Sequence, residues 1–246
     1  MFVPAILGPM MGNSSPPVDA VSLPNATRVW QGGVWGISGS DVNTVTEQVS
    51  GTDTLQRAIV GASPPQVSTA VRGRTGWANV VSPASFLVGS TIALGTMAKG
   101  TVFLCTQETN TGSPQILLEW GQSASQNAIR RNVDGSTDLL MSGAVVATAP
   151  NCADPDTMVV ATFDLTLPSG FRKARIYGRS PVNDTQGTTN TSTAINATTG
   201  RVRAGMDLAA ATVYPVVFSV INFSADFLED ARAPAVLDAL YQTWMA

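Results

Sequence analysis

Short apolar and β-branched runs, separated by turn signals, recur along most of this chain, and that spacing is what most restricts its fold. Ser85-Phe-Leu-Val88, Thr91-Ile-Ala-Leu94 and Gly100-Thr-Val-Phe-Leu-Cys-Thr106 begin the series. Gln115-Ile-Leu-Leu-Glu-Trp120, Ala128-Ile-Arg-Arg-Asn-Val133, Asp138-Leu-Leu-Met141, Gly143-Ala-Val-Val-Ala147, Met158-Val-Val-Ala-Thr-Phe163 and Phe171-Arg-Lys-Ala-Arg-Ile-Tyr177 follow at intervals of about ten residues. Asn110-Thr-Gly-Ser-Pro114, Asp134-Gly135 and Pro168-Ser-Gly170 punctuate them as turns. Many short strands at this spacing predict an all-β sandwich or barrel. The chain then closes differently. Pro215-Val-Val-Phe-Ser-Val-Ile-Asn-Phe-Ser224 reads as a buried strand, Ala225-Asp-Phe-Leu-Glu-Asp230 as a short acidic turn, and Pro234 to Trp244 as one amphipathic helix. Val236, Leu237, Leu240, Tyr241 and Trp244 fall at helical spacing, so their apolar stripe must rest on the β body. Pro234 suits the first helical turn, where its missing N–H costs nothing.

The composition supports a strand-rich body and removes several kinds of chemistry. Charged residues are 13% of the 246 and hydrophobic residues 44%, so a large core is available while Thr, Ser, Asn, Gln and Gly supply the polar surface. A net charge of −3 with no basic block argues against nucleic acid as a partner. There is no histidine, which excludes a Ser-His-Asp triad and a histidine-ligated zinc. Two cysteines, Cys105 and Cys152, cannot build a cysteine metal site, so no metal and no cofactor is expected; Cys105 reads as a small core residue. No apolar run reaches the roughly 18–20 residues of a membrane span, so membrane insertion is not expected. The N-terminus is apolar but lacks Lys and Arg and is interrupted by Pro4 and Pro9, a poor signal peptide. Synthesis in a cytoplasm without classical export is the corresponding expectation.

Residues 1–28 differ from the remainder. Five prolines and two glycines with no period make an extended segment that cannot form its own core. A solvated tail is one reading. An arm that orders on a neighbouring subunit is the other, favoured by Phe2, Val3, Ile6, Leu7, Met10 and Met11. Residues 29–246 then form the β domain. Within it, Val182 to Gly200 is low in complexity and reads as a long polar surface loop, whose Asn, Thr and Asp side chains could also meet a sugar.

Period-two counting yields one polar constellation. Leu118 and Trp120 share a face, so Glu119 points the other way; Lys173, Arg175, Tyr177 and Arg179 share a face of their own run. If the runs are neighbours, Glu119, Arg130, Asn132, Arg175 and Tyr177 line a polar concave sheet able to hold a glycan, with Trp120 as stacking platform. The same groups also suit a solvated face with cross-strand ion pairs, or a subunit interface. Trp244 and Trp77 read as core, while Trp30 and Trp35 flank a glycine pair near the arm and suit an interface.

Three pieces stand in a familiar order: Gly61 to Trp77 followed by Ser85 to Val88; Met158 to Asp164 followed by Ala174 to Arg179; and Gly200 to Met206 followed by Val216 to Ser224 and a closing helix containing Leu240-Tyr241. This arrangement resembles the concanavalin A-like lectin/glucanase domain in its laminin G-like form, over residues 30 to 246. The resemblance implies an antiparallel jelly-roll β-sandwich with one short C-terminal helix. Glucanases of that family carry alternating carboxylates on one strand, close to Glu-x-Asp-x-Glu, as nucleophile and acid/base. No such run exists here, Glu119 and Asp164 each standing alone, so no enzyme is expected. What the resemblance and the arm imply together is a phage virion structural protein, as capsid decoration, head fibre or tail component. It would be a homo-oligomer held to other virion proteins by Phe2, Ile6, Leu7 and Met10, displaying a lectin-like domain to cell-surface glycan. The alternative is a carbohydrate-binding module of a bacterial surface protein with no virion role.

Overall fold

The computed structural model describes residues 23–33, 35–51, 53–57, 64–69, 71–79, 86–92, 97–109, 112–121, 127–151, 155–193, 200–207 and 212–246. The strands among them are β1 (Ala26–Gln31), β2 (Trp35–Ser38), β3 (Asp41–Thr46), β4 (Thr54–Arg57), β5 (Gln66–Ser68), β6 (Gly76–Ala78), β7 (Leu87–Ile92), β8 (Lys99–Glu108), β9 (Gln115–Gly121) and β10 (Asn127–Arg131). They continue with β11 (Thr137–Met141), β12 (Ala144–Ala149), β13 (Asp156–Asp164), β14 (Arg172–Arg179), β15 (Asp184–Thr191), β16 (Gly200–Ala204), β17 (Met206–Asp207), β18 (Thr212–Val213) and β19 (Val216–Ser224). One helix, α1 (Ala233–Trp244), follows the last strand.

Antiparallel pairing arranges most of these strands in two layers, while β17 and β18 pair apart as a two-stranded ribbon. The front layer runs β1-β19-β8-β13-β14-β15. The back layer runs β12-β11-β10-β9-β16-β7-β4-β3-β2. On one side β5 and β6 bridge them, β5 reaching β3 and β6 reaching β19. On the other side the layers meet at Gly187 of β15, where a Cβ would overlap the Thr148 carbonyl oxygen of β12. Only glycine lets two backbones approach that closely. The fold is therefore the expected all-β antiparallel jelly-roll sandwich with one C-terminal helix.

Alternation decides what each layer buries. Val102 and Leu104 of β8, Val159, Ala161 and Phe163 of β13, and Ile221 and Phe223 of β19 point between the layers. They meet Leu118 and Trp120 of β9, Ile129 of β10, Leu139 of β11 and Val202 of β16. Aromatic rings join the halves: Trp120 stacks on Phe163 at 6.3 Å and meets Phe223 edge-on at 5.8 Å, and Trp77 stacks on Phe218 at 5.5 Å. Trp30 belongs to this core and is not at an interface, and Trp35 is half-buried against it.

The front layer buries its outer face as well. Val29, Phe103, Cys105, Met158, Val160 and Val220 form a second cluster with Leu240, Trp244 and Met245. This is the surface the helical stripe requires; Trp244 packs on Phe103 with ring centroids 6.3 Å apart. Pro234 lies in the first turn of α1, as its chemistry dictates. The free carbonyls at the far end are met by arginines, Arg72 Nε donating to Met245 O at 3.1 Å and Arg74 Nε to Trp244 O at 3.3 Å. Cys105 is a buried free thiol, and burial pushes it well above the usual thiol range.

Three sequence expectations change. Val182 to Gly200 is not all loop: Asp184–Thr191 forms β15, because it pairs along its whole length with β14 and Gly187 lets it close against β12. The runs at Ser85 and Thr91 merge into the single strand β7. The sandwich also starts earlier than residue 29, since Ala26–Gln31 is β1 and Leu23 is buried in the helix-side cluster. Phe2, Ile6, Leu7 and Met10 lie outside the described residues. No described helix is long and apolar enough to cross a membrane.

Candidate functional site

The outward row of β14 organises the site. Lys173, Arg175, Tyr177 and Arg179 share one face, as period-two counting requires, and the acidic segment before α1 folds across them. Lys173 Nζ stands 3.7 Å from Glu229, Arg175 Nε 3.2 Å from Asp230, and Arg179 Nη1 2.5 Å from Asp238 on the helix. Thr101 and Thr162 pin the acidic segment, Thr101 Oγ1 donating to Asp226 O at 2.7 Å and Leu228 N donating to Thr162 Oγ1 at 2.8 Å.

Between this row, β15 and the first turns of α1 lies an open groove of about 300 Å³. Tyr177, Arg179, Asp184, Gln186, Asp230 and Asp238 are its polar lining, and Ala233, Pro234 and Leu237 its apolar wall. Arg179 is fixed on three sides: Asp238, Asp184 at 2.9 Å, and the Tyr241 ring with its centroid 4.5 Å from the guanidinium carbon. Tyr177 stands opposite Gln186 in the β14–β15 register, and its phenol oxygen is buried with no hydrogen-bond partner. Burial raises its pKa, the Asp230 carboxylate adds to the rise and Arg175 opposes it. The phenol thus remains a proton donor at neutral pH.

The sequence-named residues separate into two places. Arg175 and Tyr177 are together, on the outer face of the front layer at the groove. Glu119, Arg130 and Asn132 lie on the opposite face of the molecule, on the back layer and the turn after it, because β9 and β10 pair with each other but neither pairs with β14. The single polar sheet expected from the runs is corrected accordingly. Glu119 is 0% exposed and meets Arg203 Nη1 at 3.2 Å. Arg130 and Asn132 both donate to Asp138 Oδ2, at 2.6 and 2.9 Å, which locks their hairpin. Burial would raise the Asp138 carboxyl, but these donors and Thr148 hold it below the usual range. Trp120 is 0% exposed between the layers and is not a stacking platform.

No protein-family model matches the sequence, and no curated protein matches it. The likeness to known structures is one of fold. The binding domain of botulinum neurotoxin DC, in complex with SialylT, gives a TM-score of 0.59 at 8% identity, over 88% of this chain and 51% of that one. A Trypanosoma rangeli sialidase complex gives 0.54 at 13% identity, over 98% of this chain and 36% of that one. The chain spans about half the length of the toxin domain and about a third of the sialidase. The CBM40 of a Ruminococcus gnavus sialidase, bound to alpha2,6 sialyllactose, gives 0.47 at 12% identity, over 58% of this chain and 85% of that one, too loose to bear on the site.

Sequence reasoning missed the groove for a definite reason. Its walls come from residues 177–186 and 230–238, which only the packing of α1 brings together. Arg179 and Asp184 carry a usable signal, since both follow the alternation of a hairpin, but the second strand of that hairpin has no apolar face to mark it.

Proposed function

We propose that this chain is a glycan-binding β-sandwich module and that the groove beside α1 is its sugar site. The observation that carries the reading is the buried, unpartnered Tyr177 phenol at a groove lined by Arg179, Asp184, Gln186, Asp230 and Asp238. Convergent donors and acceptors on a partly apolar concavity are what recognition of a polyhydroxylated ligand needs. Two solved structures of like fold are complexes with SialylT and with 2,3-difluoro-KDN, which supports glycan binding as the general reading. The aspartates face arginines, an arrangement that orders them as hydrogen-bond acceptors; this favours binding over hydrolysis.

The test is a screen of the full chain on an immobilised glycan panel, beside the double variant Gln186→Ala/Thr188→Ala. Both positions are exposed on β15, so the fold should survive. Gln186 lines the groove and Thr188 is the next outward position of β15, so binding that falls about fivefold or more in the double variant, the worth of at least one hydrogen bond, supports the site. Equal binding moves the sugar elsewhere, and silence across the panel removes the function. Any bound glycan should come back uncleaved.

Display on a phage virion is the finer form of this proposal. Its support is the apolar proline-rich N-terminal sequence and the resemblance stated above. Solution mass of the full chain against a form lacking residues 1–22 tests it, a cut that spares Leu23 and β1. An oligomer that becomes a monomer supports an assembly arm. Monomers in both cases leave the free-standing module.

A further inference from the structure

The charges around the groove select among sugars. Three aspartates, Asp184, Asp230 and Asp238, line it against one arginine. Arg179 is engaged by Asp184 and Asp238 and lies against the Tyr241 ring. Arg175 is engaged by Asp230 and donates to the carbonyls of Ala174 and Thr189 at 2.9 and 3.0 Å. An anionic sugar would have to displace an aspartate from its arginine and sit among like charges. Vicinal hydroxyls of an uncharged sugar instead donate to carboxylates and to the Gln186 amide oxygen while accepting from the phenol.

The polar surface also continues past the groove. Asp184, Gln186, Thr188 and Asn190 fall at two-residue spacing on the outer face of β15, and all four are exposed. At the open end of the β14–β15 hairpin, where Gly170 N donates to Thr191 O, Phe171 is 68% exposed. A large aromatic ring left in solvent at the end of a polar row is free to serve as a stacking platform. The apolar C–H face of a sugar ring suits such a platform.

We infer that this surface takes an uncharged oligosaccharide with vicinal hydroxyls, one ring seated over Tyr177 and the chain laid along β15 toward Phe171. The inference rests on the glycan-binding reading and names its ligand class. Tyr177 is a positioning floor whose hydroxyl, shielded in the unbound groove, is uncovered by a shift of its neighbours on binding and gains its partner from the sugar; Phe171 is the distal platform.

The experiment compares matched neutral and sialylated oligosaccharides on the full chain, then titrates the best ligand calorimetrically into wild type, Tyr177→Phe and Phe171→Ala. Neutral chains should bind, with sialylation of the same chain weakening binding about tenfold through like-charge contact. Tyr177→Phe should weaken binding about fivefold, the worth of one hydrogen bond, with a melting temperature equal to or above wild type because a buried unpartnered hydroxyl is removed. Phe171→Ala, at an exposed position, should weaken a long chain and leave a disaccharide unaffected. Preference for sialylated chains overturns the ligand class but leaves glycan binding standing. Wild-type affinity in both variants overturns the placement along β15. No binding to any chain overturns this inference together with the reading beneath it.

Discussion

Individual buried polar groups set local balances that can be measured. Glu47, almost fully buried, is a loop staple: its carboxylate accepts from Val29 N at 3.3 Å, Ser50 N at 2.8 Å, Ser50 Oγ at 2.6 Å, Gly51 N at 3.2 Å and Val49 N. Burial would raise its pKa, but these donors outweigh it and hold the group below the ordinary 4.5. A folded value below the unfolded one means stability that is present above the unfolded pKa and lost as pH falls through the folded value. Glu47→Gln should therefore cost about 2 kcal/mol at neutral pH and flatten the loss of stability below about pH 4.5, read by denaturant titrations across pH. Asn222 shows the opposite case. It is fully buried on the outer face of β19 with neither amide atom hydrogen-bonded. Asn222→Val places a strand-favouring apolar side chain there and should raise stability by about 1–3 kcal/mol; a lower melting temperature would show that the amide is satisfied in solution.

Secondary elements here depend on what covers them. The outer face of the front layer carries Phe103, Met158 and Val160, which would be exposed without α1. Leu240 is the buried centre of the helical stripe, and Leu240→Ala should cost about 2–4 kcal/mol in chemical unfolding. The arginine clamp at the helix end has its own signature. Arg74→Ala removes a donor to Trp244 O and a cation on the Trp244 ring 5.9 Å away, and should cost about 1 kcal/mol with faster amide exchange in the last turn. Unchanged exchange there would show that the clamp is ornamental. β19 and α1 were legible in sequence because each is long, periodic and bounded, Val216–Ser224 and Ala233–Trp244 matching the runs that predict them. β15 was not, because its row of Thr, Asn, Gln and Asp has no apolar face to count: only Gly187, and the strand beside it, make it a strand.

At the scale of the whole molecule, closure of the sandwich and formation of the groove are one event. The front and back layers touch where Gly187 meets Thr148, and β15 supplies the groove wall from the same strand. Gly187→Ala forces those backbones apart and should cost about 2–3 kcal/mol, weakening ligand binding by shifting Gln186 and Thr188; full stability would mean that the layers part there without penalty. The chain alone determined an all-β body, a closing helix with a buried stripe, the shared face of Lys173, Arg175, Tyr177 and Arg179, and the exclusion of histidine chemistry. These follow from periodicity and composition, which are local and additive along the sequence. Tertiary structure decided that Trp120 faces the core, that Glu119 pairs with Arg203 on the far side of the sandwich, and that Tyr177 meets Asp230 and Asp238 in a groove. Strand alternation says which residues share a face but not which layer that face belongs to. That choice is made by strand order and by long-range burial, which no local pattern encodes.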